Sequence, residues 1–362
     1  MNIGHENPEV SVLVVDDSAF MRTALSRMIA SDPGLRVVGT ASSGNEALHR
    51  IADLNPDVIT LDVEMPGLGG LETLKRIMAE CPRPVIMVSA ATVKDAEITF
   101  NALGAGAFDY VPKQLSAASL DILHIRDDLI AKIKAAAQSH VAAPFQIACR
   151  KPPRAVELPF RENSFSPPEI VALGTSTGGP KALQDILPSL PENLPVPILI
   201  VQHMPLGFTG PFAQRLDDLC AISVREAAHR DVIEPGVVYI APAGVQIKVE
   251  RMNSQAMISL SEKPEHQLHV PSVDIMMQSV ASVFRSRAMG VIMTGMGADG
   301  SQGMMAIHRE GGLTVGQDEA SSAVYGMPRV CAEMGILDRV VPLAQIPDEI
   351  LQATKHRRAS VV

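Results

Sequence analysis

The stretch Ile170-Val171-Ala172-Leu173-Gly174-Thr175-Ser176-Thr177-Gly178-Gly179-Pro180 reads as a short apolar strand, a tight turn and the start of a helix. Gly174 breaks the apolar run, and a helical pattern opens at Lys181-Ala182-Leu183. Gly174 to Gly178 fits the G-x-S-x-G pattern, in which a strained strand-to-helix turn exposes a serine hydroxyl. The flanking residues are small because backbone approaches backbone there. Unpaired N–H groups at the helix start suit a developing negative charge. The same turn can also serve as a helix cap or a phosphate cradle. A nucleophilic Ser176 therefore needs a base and an orienting acid from elsewhere in the chain.

The bulk composition narrows the setting. A chain of 362 residues suggests two domains. With 31 Lys plus Arg against 40 Asp plus Glu, its charge of −9 argues against broad nucleic-acid binding, which needs a basic footprint. There is no Trp and only 3% aromatic residues, so base-stacking platforms are not expected. Cys81, Cys149, Cys220 and Cys331 form no C-x-x-C pair, which leaves zinc and dithiol sites unsupported and fits reduced thiols. Residues 1–8 lack the apolar core of a signal peptide, and no apolar run approaches membrane-spanning length. These features predict a cytoplasmic protein without membrane insertion.

Toward the N-terminus, apolar strands over 11–15, 35–39, 58–61, 85–88 and 109–111 alternate with helical patterns. This alternation predicts a parallel sheet covered on both faces. The strands end in Asp16-Asp17, Asp62, Ser89 and Lys113, and strand C-termini of such a sheet share one edge. Three carboxylates there repel unless a cation lies between them, and oxygen-only ligands suit Mg²⁺. A hydroxyl and an ammonium are what an anion at Asp62 requires. The composite is an aspartate that accepts a phosphoryl group.

Residues of about 10–130 resemble a response-regulator receiver domain, a flavodoxin-like (βα)5 fold. The resemblance implies that Asp62 is the phosphoacceptor. It places the metal on Asp16, Asp17, Asp62 and a backbone carbonyl near Glu64, makes Ser89 the switch hydroxyl, and puts Lys113 on the phosphate. Two departures from the family pattern are Gly69, where Asp is frequent, and Gln114, where Pro is frequent. Both bear on loop shape. Prolines 144, 152, 153, 159, 167 and 168 then break all periodicity. The expected organisation is a receiver over 10–132, a linker over 133–168 and a second domain over 169–355.

In that second domain a buried strand over 197–202 ends in His203, and another over 288–293 ends in Thr294-Gly295-Met296-Gly297-Ala298-Asp299. The segment 314–317 closes the set. Segments 237–242, 246–250 and 257–260 alternate, and are expected to pair antiparallel through turns at Ala243-Gly244 and Asn253-Ser254. The fold class is α/β, a doubly wound and mainly parallel sheet with an antiparallel hairpin. Ser176, His203 and Asp299 then fall on one edge as nucleophile, general base and orienting carboxylate. Their order, Ser-His-Asp, is not the Ser-Asp-His order of α/β-hydrolases. Of the ten histidines, His229, His266 and His269 sit in loops able to line a site. His5, His49, His124, His140, His308 and His356 lie on helical or terminal stretches.

These motifs, with Gln202-His203-Met204-Pro205, Phe212-Ala213-Gln214-Arg215-Leu216-Asp217, Gln317-Asp318-Glu319-Ala320-Ser321-Ser322 and Tyr325-Gly326-Met327-Pro328, resemble the chemotaxis protein-glutamate methylesterases. The resemblance implies hydrolysis of glutamate methyl esters on chemoreceptors and deamidation of receptor glutamines, with a chemotaxis histidine kinase as phosphodonor. It points to the Met296 N–H as an oxyanion donor, and the helix start at Thr177 offers a second. The esterase site is expected to need no cofactor. Gln246 departs from a frequent His, which bears on any substrate contact from that position. An unphosphorylated receiver is expected to cover the Ser176 edge until Asp62 is phosphorylated. The alternative is a receiver-controlled nucleotide- or anion-binding effector using residues 174–179 as a cradle, though the turn lacks a P-loop lysine.

Overall fold

The computed structural model describes residues 9–90, 92–113, 119–139, 166–262 and 269–355. The expected linker falls largely outside these residues, as do Gln114, Cys149, His5, His140, His266 and His356. The chain divides into two units, Met1–Arg150 and Lys151–Val362.

The first unit runs β1 (Val10–Val15), α1 (Ala19–Ala30), β2 (Leu35–Ala41), α2 (Gly44–Leu54), β3 (Val58–Asp62), α3 (Gly70–Glu80), β4 (Val85–Ser89), α4 (Val93–Gly104), β5 (Asp109–Pro112) and α5 (Ser119–Gln138). Its sheet is parallel in the order β2-β1-β3-β4-β5, the flavodoxin-like order. β3 and β4 are buried along their whole length, which is why they read as unbroken apolar runs. Ser18, Ser43 and Thr92 cap α1, α2 and α4 by accepting from Met21, Glu46 and Asp95 N–H groups. α3 begins differently. A Cβ on Gly70 would lie 2.0 Å from the Asp62 carbonyl oxygen and 2.9 Å from Val63 Cα, so only glycine lets this helix start against the end of β3. Gly70→Ala is expected to destabilise this unit by about 2 kcal/mol, read from its denaturation midpoint. Gly69→Ser, whose side chain meets open space, should leave that midpoint in place.

The second unit runs β6 (Ile170–Thr175), α6 (Gly179–Ile186), β7 (Ile198–Gln202), α7 (Thr209–Leu219), β8 (Ser223–Glu226), β9 (Val237–Ile240), β10 (Gln246–Met252), β11 (Gln255–Ser261), α8 (Val273–Phe284), β12 (Ala288–Ile292), α9 (Ser301–Arg309), β13 (Leu313–Gln317), α10 (Met327–Glu333), β14 (Arg339–Val341) and α11 (Ile346–Thr354). Seven parallel strands form one sheet in the order β14-β13-β12-β6-β7-β9-β8. The chain winds from β6 toward β7 and β9, then returns to the other side of β6 for β12, β13 and β14. The switch point therefore lies between β6 and β12, where open α/β sheets bind ligands.

Two expectations for this unit are corrected. β9 pairs in parallel with β7 and β8 within the main sheet and is not part of an antiparallel set. Val238, Tyr239 and Ile240 are fully buried, and a two-sided burial of that kind belongs to a parallel sheet. The antiparallel pairing is confined to β10 and β11, joined at Asn253 and Ser254, both with positive φ as a type I′ turn requires. Ile247, Val249 and Ile258 bury this hairpin in the same apolar cluster as α8. The set also does not close at β13, because β14 adds to that edge.

Among the described residues no helix is long and apolar enough to cross a membrane. Cys81, Cys220 and Cys331 are unpaired thiols, and burial pushes Cys331 up to about 12, which makes it unreactive.

Candidate functional site

Strand register assembles the site in the second unit. β6 lies between β12 and β7, with Gly174 opposite Ile292 and Thr175 opposite Gln202. The residues that follow these strands therefore leave the sheet side by side. Gly174 carries no side chain because Val273 Cγ1 of α8 lies 2.2 Å from where its Cβ would stand. The Ser176 N–H donates to the Thr294 carbonyl (3.0 Å), and the His203 N–H to the Thr175 carbonyl (3.2 Å). Gln202 Nε2 donates to the carbonyls of Ser176 (3.0 Å) and His203 (2.9 Å), binding the two turns together. Gly178 takes φ +75°, and the Gly179 N–H returns to the Ser176 carbonyl (2.8 Å). Ser176 is half-buried, and its Oγ makes no hydrogen bond among the described residues.

His203 Nε2 lies 2.8 Å from Asp299 Oδ2. Four further donors reach that carboxylate: Ser272 Oγ (2.9 Å), Val273 N–H (2.8 Å), Asp274 N–H (3.0 Å) and Gly300 N–H (3.0 Å). Three of them belong to the capped start of α8, an electropositive helix end. Burial opposes ionisation of Asp299, yet His203 and the N–H groups of Asp274 and Val273 hold its carboxyl well below the usual carboxylate range. An ionised carboxylate only accepts, so Nε2 carries the imidazole proton and Nδ1 is left as the basic nitrogen.

The Thr177 and Met296 N–H groups find no acceptor among the described residues. Thr177 is otherwise fixed, its carbonyl accepting from Thr294 Oγ1 (3.0 Å). Met296 follows Gly295, whose N–H bonds the Val324 carbonyl (3.0 Å) and whose carbonyl accepts from Gly326 and Met327. Gln317 Oε1 holds the Thr294 N–H (2.8 Å) from β13.

His269 stands out more than its sequence suggested. Its ring stacks on His203 with centroids 4.3 Å apart and planes 8° from parallel. Burial, then the neighbouring His203, lower its pKa, which favours a neutral ring. Only a loop position marked it in the sequence. Gln246 is fully buried and bonds backbone, which shows why it need not contact substrate: Nε2 donates to the His269 carbonyl (2.9 Å), and Oε1 accepts the Ser272 N–H (2.8 Å).

In the first unit, Asp16, Asp17 and Asp62 bring one carboxylate oxygen each within 4.8 Å of one another. Lys113 Nζ pairs with Asp16 Oδ2 (2.9 Å) and Asp62 Oδ2 (2.6 Å), the one partner those two buried oxygens have among the described residues. One ammonium against three carboxylates, all oxygen donors, fits a hard divalent cation. Burial pushes the Asp62 carboxyl up to about 6 against the pull of Lys113, with Asp16 adding to the rise. An open cleft is lined by Asp17, Asp62, Glu64, Gly69 and Lys113. The Glu64 carboxylate is turned to Lys94 (2.9 Å), and only its N–H reaches Asp62 Oδ1 (3.2 Å). Ser89 makes no hydrogen bond to Asp62 among the described residues: its hydroxyl accepts from Thr99 of α4 (2.9 Å) and donates to the Ala90 carbonyl (3.2 Å).

Known proteins resemble this chain in sequence and fold. Residues 171–350 match the CheB methylesterase family, and residues 12–123 match the response regulator receiver domain. The chain is 45% identical to a protein-glutamate methylesterase/protein-glutamine glutaminase 2 of Nitratidesulfovibrio vulgaris, covering 94% of this chain and 98% of that one. It is also 45% identical to a protein-glutamate methylesterase/protein-glutamine glutaminase of Pyrococcus abyssi, covering 97% and 95%. The crystal structure of the Thermotoga maritima CheB methylesterase catalytic domain superposes with a TM-score of 0.50 at 37% identity, over 51% of this chain and 98% of that domain. A receiver implies phosphorylation with a divalent metal, and here it precedes the esterase unit. The chain belongs to the CheB methylesterase family.

Proposed function

We propose that this protein hydrolyses γ-methyl esters of glutamate on chemoreceptor cytoplasmic regions, deamidates their glutamines, and is controlled by phosphorylation at Asp62. The observation that carries the reading is the 2.8 Å His203–Asp299 contact one strand away from Ser176, whose hydroxyl makes no hydrogen bond among the described residues. Ser176 Oγ attacks the side-chain carbonyl carbon while His203 Nδ1 takes its proton. The oxyanion is held by the Thr177 and Met296 N–H groups. Collapse breaks the ester C–O bond, and His203 returns the proton to the departing methoxide, releasing methanol. With a glutamine the leaving group is ammonia. Water, deprotonated by His203, then attacks the acyl-serine and frees the glutamate. No step calls for a cofactor. The alternative, an anion cradle at residues 174–179, leaves the ionised Asp299 and its imidazole partner without a task.

In the receiver unit, Asp16, Asp17 and Asp62, with the backbone at Glu64, would hold Mg²⁺. When bound it neutralises the carboxylates and the charge on the incoming phosphoryl group. The Asp62 carboxylate accepts that group from a chemotaxis histidine kinase in the cytoplasm, and Lys113 pairs with its oxygens. Ser89 would join only after exchanging its bond to Thr99. Wild-type protein treated with a small phosphodonor, acetyl phosphate, should release methanol from methylated receptor faster than untreated protein. Asp62→Asn is expected to lose that increase, and an equal response in both proteins would refute control through Asp62.

A further inference from the structure

The segment from His269 to Asp274 touches both members of the His203–Asp299 pair. At one end the His269 ring lies against His203. At the other, Ser272 Oγ and the N–H groups of Val273 and Asp274 supply three of the five donors on Asp299. This short segment contains Val270 and Pro271, and the adjacent Gly244 N–H donates to the Val270 carbonyl (3.2 Å). One side chain grips the segment at two points. Gln246, at the start of β10, donates to the His269 carbonyl and accepts from the Ser272 N–H, and it is fully buried. β10 is itself anchored on α8, the Val249 N–H donating to Ser279 Oγ (2.9 Å). A rigid hairpin thus presents a neutral amide whose donor and acceptor match the two backbone groups that flank Val270 and Pro271. We propose that Gln246 is a positioning residue of hydrolysis, holding the 269–274 segment so that His269 stays against His203 and the α8 N–H groups stay on Asp299.

The proposal rests on the reading that Ser176, His203 and Asp299 carry the chemistry. Neither of these Gln246 bonds is to a reacting atom, so its effect is on orientation. Misplacement of catalytic groups by an ångström costs roughly 10²-fold in rate, and it leaves substrate binding alone when no binding group moves. Loosening the segment also weakens the N–H donors on Asp299. His269 from the α8 side and Asp299 from the β12 loop face His203, with Asp274 beyond Asp299.

The test compares wild type, Gln246→Met and Gln246→His on a γ-methyl-glutamyl peptide by methanol release across pH. Methionine keeps length and apolar volume but makes neither bond. A neutral histidine offers one donor and one acceptor, as the amide does. Gln246→Met is expected to lose roughly 30-fold in kcat with KM within about twofold. Gln246→His should recover most of the loss. Unchanged kcat in Gln246→Met overturns the proposal. So does a fall in kcat that tracks a lower melting temperature, with a changed KM and no recovery in Gln246→His, because that is a merely structural residue. Ser176→Ala, run alongside, separates the two ideas: full hydrolysis by that variant overturns the nucleophile itself, whatever the Gln246 series gives.

Discussion

Ser176→Ala is expected to lower kcat for methyl-ester hydrolysis by about 10⁴-fold and to leave the fold and melting temperature close to wild type. The two halves of that expectation come from separate features. Removing the hydroxyl removes the proposed nucleophile, which lies one residue beyond the pairing of Thr175 with Gln202. What remains is stabilisation by the Thr177 and Met296 N–H groups together with substrate binding, which leaves a residual acceleration over water. Stability is spared because Ser176 Oγ makes no hydrogen bond among the described residues and the side chain is only half-buried. The turn is held by backbone instead, through the Ser176 N–H, its carbonyl and Gln202. Methanol release from methylated receptor at saturating substrate measures the first half, and a thermal melt the second. Activity within tenfold of wild type in a folded variant would mean that another group attacks the ester.

The parts of the two sites legible in the sequence are those that follow an unbroken apolar strand. Asp16 and Asp62 in the first unit and Ser176 and His203 in the second each come at or just after such a run, Asp299 follows on the loop after β12, and each unit's parallel sheet brings its own strand ends to one edge. What could not be read has two physical causes. Edge strands are short and half-exposed: β8 buries only Val224 among four residues and β14 has three residues, so both look like loops. β9 was misplaced because its alternation suited a hairpin, while its burial on both faces appears only when β7 and β8 flank it. The second cause is that buried amides and stacked rings take their meaning from partners far along the chain. Gln202, Gln246 and Gln317 look like ordinary polar residues until their bonds to Ser176, Ser272 and Thr294 are seen. His269 likewise acquires a role only from the ring of His203. Ser89 shows the converse: its position after β4 is as expected, and its rotamer places the hydroxyl on Thr99.

Asp299→Asn should lower kcat by about 10³- to 10⁴-fold and, unlike Ser176→Ala, should also lower stability. Every group around this side chain is a donor. Oδ2 accepts from His203 Nε2 and the Val273 N–H, and Oδ1 accepts from Ser272 Oγ, the Asp274 N–H and the Gly300 N–H. An amide must place its NH₂ on one side or the other. On the Oδ1 side it meets two backbone N–H groups that cannot turn away, and buried unpaired donors of that kind cost about 1–3 kcal/mol. On the Oδ2 side it meets the Val273 N–H and donates to His203. The imidazole then accommodates by moving its proton to Nδ1, the nitrogen that must accept the Ser176 proton, and the base is lost. Either orientation harms the site, the first by stability and the second by tautomer. Loss of the negative charge also removes what stabilises the imidazolium, so the residual activity should rise with pH as hydroxide replaces the missing base. A melt together with a pH–kcat profile reads both effects. A variant that keeps the wild-type melting temperature and at least a tenth of its kcat would show that Asp299 neither orients His203 nor anchors the start of α8.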